Sequence, residues 1–181
     1  MLTPGDSAYS SESLTGRELL TSVKAPKLTP DEFYNCTIIR SESPTEFWVR
    51  LTGWEEKMAA ITNKLRERYQ NAGNPGHCEW SEGDYCAVRY PGAKDWVRAL
   101  ITKVREELVE VVLIDQGVTG TAPLRLIKPI PEQISKINWL SLKVEVAWMV
   151  PKDFKWSEEV LSKVQEFIEC ADRVAIKVSS Q

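Results

Sequence analysis

The chain has 181 residues, with 23 Lys+Arg against 26 Asp+Glu and a formal net charge of −3. An apolar fraction of 43% and a charged fraction of 27% are those of an ordinary globular protein and exclude collagen, mucin and wholesale disorder. The negative balance removes the usual attraction to phosphate backbones, and no run approaches the ~18 apolar residues that span a bilayer, so neither nucleic acid nor membrane is an expected partner.

Residues 1–30 are rich in Ser, Thr and Pro and read as a loose arm, with a short helix available from Leu14 to Lys24. Two strands are expected at Tyr34–Arg40 and Glu46–Leu51, on either side of a turn at Ser41–Pro44, with Phe47, Val49 and Leu51 sharing a face. Trp54, Met58, Ile61, Leu65 and Tyr69 then form one apolar stripe at helical spacing. Thr52 and Glu55 fit a capping box at the start of this helix, and Gly73–Gly76 stops it.

From Tyr85 to Ile127 the pattern changes to short strands and tight turns. Strands are expected at Tyr85–Tyr90, Trp96–Val104, Leu108–Ile114, Val118–Pro123 and Leu124–Ile127, the pattern of a small, strongly bent barrel. Leu142–Val150 reads as a further strand. An amphipathic helix follows with Trp156, Val160, Leu161, Val164, Phe167 and Ile168 on one side, and Arg173–Val178 closes as a strand. Neither flank of the barrel has enough strands to bury a face alone, so the two should pair in space. The expected fold is mostly β with two or three helices (α+β), divided as arm 1–30, first flank 31–80, barrel 81–130 and second flank 131–181.

Cys36, Cys78, Cys86 and Cys170 are irregularly spaced without a CxxC pair, and His77 is the only histidine. Reduced and mostly buried thiols are therefore expected, with no metal and no cofactor. One histidine supports no nucleophile-and-base arrangement, and Asp153 and Glu158 near Lys152 and Lys155 read as surface charge; no enzyme is expected. The N-terminus lacks the charged-then-apolar order of a signal peptide, so an intracellular location is expected. Seven tryptophans, none before Trp48, pose a choice between a ligand surface and packing.

Three stretches, Cys86-Ala87-Val88-Arg89-Tyr90, Trp96-Val97-Arg98-Ala99 and Val112-Leu113-Ile114-Asp115-Gln116-Gly117, resemble the signature of an extended Tudor domain. Ser43-Pro44 with Phe47-Trp48-Val49, and the helix after it, are similar to the first half of that family's staphylococcal-nuclease-like unit. The C-terminal strand, helix and strand are similar to the second half. The resemblance covers about residues 32–180 and implies a Tudor SH3-like barrel inserted in a split OB/nuclease-like fold. It also implies a function: many such domains of the piRNA pathway bind peptides carrying symmetrically dimethylated arginine, from the N-termini of Piwi-clade Argonautes. The location implied is cytoplasmic, in perinuclear germline granules (nuage).

A methylated guanidinium is a poorly hydrated cation best held by a box of aromatic faces with a side-chain amide nearby. Carried over by position, Tyr90 keeps the first aromatic, whereas Val97, Leu113 and Gln116 replace three others and Val118 replaces the amide. At about 1 kcal/mol per wall, three lost walls weaken binding by roughly two orders of magnitude. The resemblance therefore points to a non-catalytic adaptor for an unmethylated, Arg-containing Piwi-Argonaute peptide at Tyr90, Val97, Leu113, Gln116 and Val118, with Asp115 as guanidinium acceptor. Other Tudor proteins or a second copy of the chain are further partners to consider. Two alternatives stay open: a purely structural scaffold, and a single-stranded RNA module drawing on the Lys64–Arg68 run. The tryptophans, none at a box position, read as packing: Trp54 and Trp156 in helix stripes, Trp96 in the barrel, Trp48 and Trp148 in flanking strands, Trp80 and Trp139 unplaced.

Overall fold

A computed structural model describes residues 23–70, 79–90, 94–151, 155–171 and 173–179. The first strands are β1 (Phe33–Ser43) and β2 (Glu46–Leu51), joined at Pro44-Thr45. The turn is tighter than Ser41–Pro44 because the Ser43 hydroxyl accepts the Glu46 N–H at 3.1 Å, and the strand runs on through two bulges, at Ile38/Arg40 and Ser41/Ser43. Helix α1 spans Glu55–Tyr69. The expected capping box does not form: Trp54 occupies the N-cap without a side-chain bond, and the Glu55 carboxylate accepts the Gly53 N–H at 2.9 Å. The glycine stop at Gly73–Gly76 lies outside the described residues, as do Leu14–Ser22, His77 and Cys78.

The barrel contains β3 (Tyr85–Val88), β4 (Val97–Val104), β5 (Leu108–Leu113), β6 (Val118–Pro123) and β7 (Ile127–Lys128), in the order β6-β5-β4-β3-β7. Leu124–Leu126, expected as strand, is a single 3₁₀ turn that swings the chain so that β7 pairs with β3. Alternation places Cys86, Val88, Ala99, Ile101, Val109, Val111 and Ala122 in one buried cluster. On β6 the inward positions are Val118, Gly120 and Ala122, small residues that suit the crowded interior of a short barrel.

The flanks form a second sheet, ordered β8-β2-β1-β9, with β8 at Leu142–Glu145 and β9 at Val174–Lys177. Here two expectations fail. The strand ends at Glu145 rather than Val150, and Trp148 lies beyond it, 98% exposed with φ +67°. Helix α3 (Glu158–Cys170), capped by the Ser157 hydroxyl on the Val160 N–H, contains no buried residue; Leu161 and Phe167 of its stripe face solvent. Trp156, Val160, Val164 and Ile168 of the stripe are only half-buried.

A second core lies on the outer side of β3, where Ile61 and Leu65 of α1 meet Ala87, Trp96, Ile130, Ile134 and Leu140. Helix α2 (Glu132–Ser135), a single turn after Pro131 that the sequence did not announce, supplies Ile134. Trp96 packs on Tyr69 at 5.2 Å between ring centroids, and Trp139 meets Tyr85 edge-on at 6.2 Å. The arm is not loose as far as residue 30: Val23 is 4% exposed and the Lys24 carbonyl accepts the Trp139 N–H at 3.0 Å. Of the cysteines described, Cys36 and Cys86 are buried and Cys170 is exposed; burial pushes both buried thiols up, away from thiolate character.

Candidate functional site

Strand register brings four of the five box positions together. Val88 pairs with Val97, Ala99 with Leu113, and Leu113 with Val118, so Val97, Leu113 and Val118 lie on one inward face. Leu113 belongs to the barrel cluster, and Val97 and Val118 are half-buried against it. Two residues along from Val118, Gly120 faces the same way, and a Cβ there would collide with the Tyr90 ring. The remaining aromatic is thus seated on a glycine floor beside three aliphatic side chains. An open box with parallel aromatic walls does not exist among the described residues.

Gln116, the fifth position, sits in the turn between β5 and β6. Its backbone N–H reaches the Leu113 carbonyl at 3.0 Å, and its half-buried amide has no partner among the described residues. Gly117 completes the turn at φ +63°, a left-handed conformation that favours glycine. The indole of Trp48, from β2 of the other sheet, lies directly on it, leaving no room for a Cβ. Barrel and split sheet thus meet at this turn, with the Trp48 indole packed on Gly117.

Asp115 is not a free guanidinium acceptor. It is 4% exposed and already holds a guanidinium, that of Arg98: Nε donates to Oδ2 at 2.8 Å and Nη2 to Oδ1 at 2.6 Å. Arg98, fully buried on the outer face of β4, spends its other donors on the carbonyls of Ile134 (3.1 Å), Ile137 and Asn138 (2.8 Å). Oδ1 of Asp115 also accepts the Leu140 N–H at 3.0 Å. All five N–H groups of the guanidinium are met, the condition under which a buried ion pair is tolerated. Its role is structural: it binds barrel, α2 and the segment leading to β8 into one piece.

Sequence reading also missed the polar face that β1 and β2 turn toward this contact. Residues Arg40, Trp48 and Arg50 share the β1–β2 face toward the barrel, since Arg40 pairs with Trp48 and Arg50 lies two residues on. Arg50 Nη2 donates to the Asp115 carbonyl at 2.8 Å. Glu42 accepts the Trp48 indole N–H at 2.9 Å and pairs with Lys143 at 2.7 Å and Arg40 at 2.5 Å. Hydrogen bonding to Lys143, then to Trp48, lowers the Glu42 carboxyl to about 2, and hydrogen bonding to Glu42, then to Glu46, raises Lys143. Period-two alternation on β2 announces this face; nothing local announces what it meets.

The profile of the family described as Tudor domain matches residues 28–147. Tudor domain-containing protein 6 of Mus musculus is 26% identical over 153 residues, covering 83% of this chain and 7% of that protein. Protein tudor of Drosophila melanogaster is 27% identical over 122 residues, covering 66% of this chain and 5% of that protein. The chain therefore spans less than a tenth of the length of these relatives. Among solved structures, the human TDRD1 extended Tudor domain, crystallised with a symmetrically dimethylated peptide, superposes with a TM-score of 0.81 at 18% identity over 91% of this chain and 83% of that one. Domain TD3 of mouse TDRD1, in complex with a MILI peptide containing dimethylarginine, gives 0.76 at 18% identity over 84% and 79%. Barrel, split sheet and profile match agree: the chain belongs to the Tudor domain family and has the extended Tudor fold.

Proposed function

We propose that the chain is a non-catalytic adaptor that takes an Arg-containing disordered peptide of a Piwi-type Argonaute at the box positions without need of arginine methylation. The observation that carries this reading is the state of the box: Val97, Leu113 and Val118 pack on the barrel core and Tyr90 rests on Gly120. Such a surface offers apolar contact but no cation-binding faces in parallel. With Asp115 committed to Arg98, the unengaged amide of Gln116 takes over as the acceptor for a peptide N–H. The MILI-peptide complex of mouse TDRD1 supports the class of ligand. A cytoplasmic germline-granule location remains part of the proposal.

The test is a paired titration of the chain with one Arg-rich Argonaute N-terminal peptide, unmodified and symmetrically dimethylated. Equal or tighter binding of the unmodified form is expected. Preference for the dimethylated form overturns the reading of the box, and silence from both leaves a scaffold domain. As a positive control, the quadruple variant Val97→Tyr, Leu113→Phe, Gln116→Tyr and Val118→Asn should gain roughly a hundredfold for the dimethylated peptide, the counterpart of about 1 kcal/mol per wall.

A further inference from the structure

A concavity lies away from the box positions. It is open to solvent, holds about 260 Å³ between the N-terminal segment, the start of α1 and the α2–β8 connection, and is lined chiefly by Pro26, Trp54, Lys57, Lys136, Asn138 and Trp139. None of the five box positions lines it. Its volume falls just below the roughly 300–1,000 Å³ of sites for drug-sized ligands, which suits one planar group rather than a folded element. Two indoles and a proline supply flat apolar surface. Two lysines supply positive charge, and among the described residues no carboxylate lines the site.

Two further features bear on its chemistry. Lys57 has no ion-pair partner among the described residues, and Lys136 shares only Glu132, four residues back on an exposed helical turn, at 2.6 Å. The indole N–H of Trp139 is buried and lacks an acceptor, as do Nε of Arg40 and Nε of Arg50 on the other side of the barrel turn. Edge contact with Tyr85 holds that ring from one side. A small slide of the indole toward the cavity would bring the N–H to any acceptor lodged there.

We propose that this cavity is a binding site for one nucleotide of a single-stranded nucleic acid: the base against the Trp54 and Trp139 indoles, the phosphate at Lys57 and Lys136, and a base acceptor for the Trp139 N–H. Aromatic faces for the base with ammonium groups for the phosphate are the combination by which single strands are held without sequence preference. An acidic peptide side chain would use the lysines but leave both indole faces idle. The site works independently of the box positions, so an RNA-bearing partner and an Argonaute peptide would bind side by side despite the chain's net negative charge.

The experiment titrates the full chain with penta-adenylate, with adenosine 5′-monophosphate and with pentaglutamate, following the indole N–H signals by nuclear magnetic resonance. The Trp139 signal is assigned through Trp139→Phe. Penta-adenylate should move the Trp139 signal downfield as it gains an acceptor. Binding should weaken with salt at a log–log slope of about −1.4, that is, about −0.7 for each of two phosphate contacts. The double variant Lys57→Gln and Lys136→Gln, both on the surface, should lose at least tenfold in penta-adenylate affinity with unchanged thermal unfolding and unchanged peptide titration. An unmoved Trp139 signal with all three ligands, a response to pentaglutamate alone, or penta-adenylate binding indifferent to the double variant would each overturn the assignment.

Discussion

Every second residue of β5 in the barrel is at most 5% exposed, while α3 over the split sheet has no buried residue and leaves Phe167 53% exposed. Both regions have amphipathic patterns of ordinary strength. They differ in curvature and in how locally they are built. The barrel folds largely from hairpins adjacent in sequence and curls until its inward side chains share one buried cluster, although β6 and β7 at its edges do not pair. The split sheet draws β1 and β2 from one end of the chain and β8 and β9 from the other. Its order depends on what ties it to the barrel: Trp48 on Gly117, Arg50 on the Asp115 carbonyl, and Ser141, whose hydroxyl donates to the Ile114 carbonyl at 2.8 Å. The turn at residues 114–117 therefore organises both units.

The largest test of that view is Asp115→Ala. It leaves the Arg98 guanidinium buried without its carboxylate, and a loss of about 3–5 kcal/mol is expected. Because the pair joins the barrel to the segment entering β8, one cooperative denaturant transition should shift as a whole. Barrel signals that persist after sheet signals are lost would show that the two units hold together independently. Next comes Gly117→Ala, which combines a left-handed backbone with collision against Trp48. It should destabilise by about 1–3 kcal/mol and change Trp48 fluorescence; a neutral result would mean that the indole is not pinned to the turn. Phe167→Ser should cost no more than about 0.5 kcal/mol in thermal unfolding, as for a surface position. A larger cost would mean that α3 is bound more tightly to the sheet than its exposure indicates.

Much of this architecture was legible beforehand. Val118–Pro123 is observed with the expected bounds, and α1 and the three other longer barrel strands differ by a residue or two at their ends, because period-two and period-four burial leave direct marks on composition. The box positions were legible as residue types, and the register of β4, β5 and β6 brought Val97, Leu113 and Val118 to one face. What escaped was non-local. The Trp48–Gly117 stack and the Arg98–Asp115 pair join residues far apart in sequence, and no window around Asp115 distinguishes a ligand's guanidinium from the chain's own. Leu142–Val150 failed differently: Val146, Met149 and Val150 continue an apolar run after pairing has stopped, since β2 offers β8 only four partners.

The sequence alone determined where most of the strands and the two long helices lie, which family they resemble and which residue types stand at the positions read as a box, because these follow from local pattern and residue identity. Tertiary structure alone decided that Asp115 is engaged, that Tyr90 rests on Gly120, and that Trp54, Trp139 and two lysines share a cavity. Each of those facts concerns which distant groups satisfy one another's charge, hydrogen bonds or contact surface, and the chain settles that only when it closes on itself.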